Sequence, residues 1–68
     1  MKRDPYRSFV IVAMSSPRPQ GGWNSEVYLE KHGGDGVTPI ELPPEPGQPA
    51  TFDSEEDGLN AGIAQGRR

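Results

Sequence analysis

Few residues in this chain could do chemistry. One histidine, His32, opens the stretch HGGDG, with Asp35 three positions on. A histidine and an aspartate can relay a proton or begin a metal site, but a metal needs more ligands of the right type in one place. Cysteine is absent, which removes thiolate ligands, thiol nucleophiles and disulfides together. The glycines of HGGDG have an ordinary use in a tight turn, where positive φ is needed. The stretch lacks the spacing of a phosphate-cradling loop and opens no predicted helix. Glu55, Glu56 and Asp57 could exchange protons, yet they fall in the first turn of a predicted helix, where carboxylates complement the dipole. A serine nucleophile would need a histidine beside it, and the single histidine sits in a turn. The expectation is a protein that is not an enzyme and takes no cofactor, metal or small-molecule substrate.

A second group of residues could bind rather than react. Phe9 and Tyr28 could stack on bases, and Arg7 and Arg18 could meet phosphates, as in single-strand nucleic-acid binders. Glu26 and Glu30 share a strand face with Tyr28, however, and repel phosphate. The net charge is −3, which does not suit a phosphate contact that draws its affinity from cations. Nucleic-acid binding therefore stands as the alternative to a protein partner. The charge is also uneven. Residues 1–31 carry Lys2, Arg3, Arg7, Arg18 and Lys31 against Asp4, Glu26 and Glu30, whereas the rest of the chain is strongly acidic until Arg67 and Arg68.

The elements that must position these residues fit one small domain over 1–68. YRSFVIVAM, residues 6–14, is β-branched and aromatic and predicts a strand with both faces apolar. Residues 1–5 read as a flexible arm. The loop SSPRPQGG follows, and then WNSEVYLEK, residues 23–31, whose alternation predicts a half-buried antiparallel strand. A short third strand is expected over 37–42, VTPIEL, at a sheet edge because Pro39 cannot donate to a ladder. The proline-rich segment 43–51 reads as a stiff connector, or else as a ligand for a proline-binding domain. A helix over 53–67 has Ser54 or Asp53 as its cap. The fold class is α+β: a three-stranded antiparallel sheet with one C-terminal helix across it. No run reaches the ~20 apolar residues of a membrane span. FVIVAM is also shorter than the ~7–15 residues of a secretory core, and the expected setting is the cytoplasm.

Two features of this arrangement are unusual. Gly58, Gly62 and Gly66 recur every four residues, so they share one face of the helix beside Leu59 and Ile63. Each costs roughly 0.5–1 kcal/mol against alanine. A stripe without side chains would let the helix lie close to the sheet, with Trp23 as the expected neighbour, or admit a partner helix. The second feature is a surplus of apolar sheet surface. One helix covers one face, and the other keeps either Phe9, Ile11 and Ala13 or Tyr6, Val10, Val12 and Met14, together with Tyr28. An uncovered apolar face invites association. Phe9, Ile11 and Tyr28, with Arg7 and Arg18 nearby, are the expected interaction residues, and a homodimer or a protein partner is the expected occupant.

The layout YRSFVIVAM, loop, GGWNSEVYLEK, turn, short strand and FDSEEDGLNAGIAQGRR resembles small uncharacterised bacterial proteins of β-β-β-α order. Many of these end in a helix that starts F-x-S/T-x-E-x-A, is rich in small residues and finishes on basic ones; here Gly58 stands where alanine is usual. The resemblance implies the fold and a bacterial cytoplasmic setting and carries no site residues. HicB-like antitoxins share a similar sheet-then-helix order, which implies a regulatory partner as an alternative.

Overall fold

The computed structural model describes residues 1–49 and 51–68; of the 43–51 connector, residue 50 lies outside the described residues. It is an α+β fold with four strands rather than the expected three. In chain order these are β1 (Lys2–Tyr6), β2 (Phe9–Met14), β3 (Glu26–Gly33) and β4 (Gly36–Glu41), followed by the helix α1 (Glu55–Gly66). The strands form an antiparallel meander, each beside its neighbour in sequence.

The extra strand takes Lys2–Pro5 from the expected flexible arm and Tyr6 from the expected first strand, and pairs with β2. Tyr6 lies opposite Phe9, so Arg7 and Ser8 form a two-residue turn, and Arg7 takes a left-handed φ of 59°. YRSFVIVAM is thus a corner and a strand, not one nine-residue strand. KRDPY does not read as a strand because three of its residues are charged and one is proline. Edge strands tolerate both.

β3 begins at Glu26, later than residue 23, because Trp23 serves elsewhere. Its N–H and C=O exchange two 2.9 Å hydrogen bonds with Phe52, just ahead of the helix. The segment between β2 and β3 is a bonded extension of their hairpin. The Ser15 hydroxyl donates to the Asn24 carbonyl at 2.6 Å, and the Ser16 amide donates to the Asn24 side chain at 2.8 Å.

Ser54 caps α1 by accepting from the Asp57 amide at 3.1 Å, and Glu55, Glu56 and Asp57 fill the first turn. Arg67 is the C-cap residue rather than part of the last turn. Its guanidinium donates to Asp4 of β1 at 2.9 and 2.5 Å, while Arg68 pairs with Glu45 of the connector. The core under the helix is small: Ile11 and Ala13 are fully buried, and Val27 nearly so.

Candidate interaction face

Cross-strand pairing decides which residues share a face, because directly opposed side chains point the same way. Ala13 pairs with Lys2 and Val27, and Ile11 with Asp4 and Leu29. These residues lie under the helix, since a Cβ on Gly62 would sit 2.9 Å from that of Ala13 and 3.4 Å from that of Val27. A Cβ on Gly66 would overlap the Ile11 side chain, and one on Gly58 would come within 2.5 Å of the Ser15 hydroxyl. All three glycines therefore face the sheet. Their neighbour is the β2 row, not Trp23. Leu59 and Ile63 are only half-buried, on the flank of the helix.

The five expected interaction residues do not form one surface. Phe9 and Ile11 lie on the helix side. Phe9 there borders a recess of about 260 Å³ with Tyr6, Leu29 and Arg67 at the end of the helix. Arg7 sits in the β1–β2 turn, 5.3 Å from the Tyr6 ring centre, and Arg67 approaches the same ring at 5.2 Å. Arg18 lies in the β2–β3 loop, where its backbone bonds to Gly21 and Gly22. Only Tyr28 is on the opposite, helix-free face.

That face has a definite composition. One row across it reads Arg3, Val12, Tyr28, Glu41, and the next reads Pro5, Val10, Glu30, Pro39. Arg3 on β1 pairs with Glu30 on β3, so their ion pair must cross above β2. It roofs the valines, and Val12 is completely buried although no helix covers it. The apolar surplus expected here is therefore partly screened by charge. Beside this ion pair lies an open groove of about 610 Å³ lined by Val27, Tyr28, Val37 and Pro39 together with Glu26, Glu30 and Glu41. Val37 is 51% exposed. His32 lies 3.6 Å from Glu30, and among the described residues no three His, Cys, Asp or Glu side chains gather as a metal site requires.

Each edge of the sheet carries a proline that blunts it toward another strand. A two-residue hairpin turn is flanked by a hydrogen-bonded pair, and the pairs alternate along the ladder from there. Counting from Tyr6 opposite Phe9 and Gly33 opposite Gly36, Pro5 and Pro39 occupy non-hydrogen-bonded positions, with their nitrogens directed outward. A missing N–H there costs the sheet nothing and blunts both edges.

Sequence reading missed Arg3, Val37, Pro39 and Glu41 as members of this face. The signal was the register, which the corners fix within each hairpin, Arg7–Ser8 for β1 with β2 and Gly34–Asp35 for β3 with β4, while the pairing of β2 with β3 joins the two hairpins into rows. No helix is long and apolar enough to cross a membrane among the described residues. No protein-family model, curated protein or solved structure matches the chain.

Proposed function

We propose that the chain is a small, non-enzymatic cytoplasmic interaction protein that works through the helix-free face of its sheet, with a second copy of itself as the first occupant. The observation that carries this reading is the row Arg3, Val12, Tyr28, Glu41, with a cation at one end, an anion at the other and apolar bulk between. Such a row complements its own reverse. The blunted edges support face-to-face contact over strand addition. Nucleic acid is the weaker occupant, because Glu26, Glu30 and Glu41 line the groove while Arg7 and Arg18 lie away from it.

Light scattering over a wide range of protein concentration tests the reading. The expected result is a mass that rises from one chain to two, and that Tyr28→Glu holds at one while its circular dichroism stays that of the wild type. A wild-type chain that remains monomeric throughout, or a Tyr28→Glu variant that dimerises as well as the wild type, would overturn it.

A further inference from the structure

We infer that the two copies meet about a two-fold axis that runs parallel to the strands between β2 and β3, so that Arg3 of each copy enters the other's groove beside Glu41. The inference rests on the reading of the helix-free face as an interface, and adds the register of the contact and the residues that set it. A two-fold interface is self-complementary: if one residue meets another, the reverse contact also forms. An axis along the strands lays β1 over β4 and β2 over β3. Arg3 then faces Glu41 twice, and Tyr28 of each copy meets the ion pair that roofs Val12 of the other at the centre. An axis across the strands would set each strand on its own copy, with Arg3 toward Arg3 and Glu41 toward Glu41. Charge decides between them, since like charges placed together across an interface are penalised strongly.

The groove suits a guanidinium. Tyr28 offers a ring face for a cation, and Glu41 accepts a charge-assisted hydrogen bond. Arg3 need not leave its own Glu30 to reach across, because a guanidinium carries five N–H donors. The prolines come together as well, with Pro5 over Pro39 of the other copy. The contact is modest in size. Six-residue strands at a rise of ~3.3 Å and three interstrand gaps of ~4.8 Å make a face about 20 Å long and about 14 Å across. That is about 280 Å² a side, below the ~800 Å² a side of a standard specific interface, so the contact is a weak one and the dimer forms and dissociates with concentration.

A charge exchange tests the register. Arg3→Glu alone places acid against acid, and Glu41→Arg alone places cation against cation. Each variant is expected to stay at the mass of one chain at a concentration where the wild type has the mass of two. Mixed in equal amounts, they should recover the mass of two. In the mixed pair the two substituted side chains face each other with opposite charge, and so do the unchanged Arg3 and Glu41. Recovery also shows that both variants are folded. A mixture that stays monomeric, or single variants that dimerise like the wild type, overturns the register. The interface reading survives that failure if the wild type still dimerises and Tyr28→Glu does not. A monomeric wild type fails the interface reading itself.

Discussion

Gly62 has no side chain because Ala13 and Val27 already fill the space where one would go. The stripe of glycines thus resolves a conflict between two scales of preference. Alanine at such a position would favour the isolated helix by roughly 0.5–1 kcal/mol, but its methyl would have to push the helix off the β2 row. Overpacking a tight contact typically costs about 1–3 kcal/mol. Gly62→Ala is therefore expected to lower stability in urea titration by about 1 kcal/mol net, despite the better helix residue. Moving the methyl across the interface, with Gly62→Ala and Ala13→Gly together, should cost less than the two single changes added, since the residues touch. A stabilised Gly62→Ala would mean that the helix has room to spare.

At the scale of elements, the helix stands on its cap and its ties. Ser54→Ala removes the acceptor for the Asp57 amide and is expected to cost ~1 kcal/mol in the same titration. The Arg68 guanidinium hydrogen-bonds Glu45 and holds its carboxylate below its usual range, while the same bond raises Arg68. A carboxylate depressed in the fold stabilises above its unfolded value, and that contribution is lost as the pH falls through the folded one. Glu45→Gln should thus flatten part of the acid limb of a stability-versus-pH curve by lowering the neutral plateau, and only slightly because the pair is exposed, while the most acid end stays unchanged. The helix was legible in its caps and acids, and β3 and β4 in their alternation and turn. β1 was not. Its charges and proline suit an edge strand as well as an arm, and only pairing with β2 distinguishes the two. The same blind spot hid the interaction face. Which strand residues stand together depends on register, and the Arg7–Ser8 corner that sets it between β1 and β2 carries no glycine or asparagine to announce a left-handed φ.

The whole molecule is long and thin for its size. It extends 42 by 21 by 16 Å with a Cα radius of gyration of 12.4 Å, against about 11 Å for a compact chain of this length. Its accessible surface is 4687 Å², above the ~4200 Å² typical of this mass. A chain with so little interior gains more than most from a second copy, and the proposed dimer would cover the helix-free face of its sheet. The Trp23–Phe52 exchange has a further consequence for how the molecule holds together. With Ser25 donating to the Gly58 carbonyl, Gln65 to the Pro43 carbonyl and Arg67 to Asp4, it fastens the helix at both ends to β1 and to the segments that flank β3 and β4. A backbone cut between Pro46 and Gln48 would sever none of these attachments. What holds helix to sheet is thus these contacts rather than the chain between Pro46 and Gln48, and a change of length there is expected to cost little entropy.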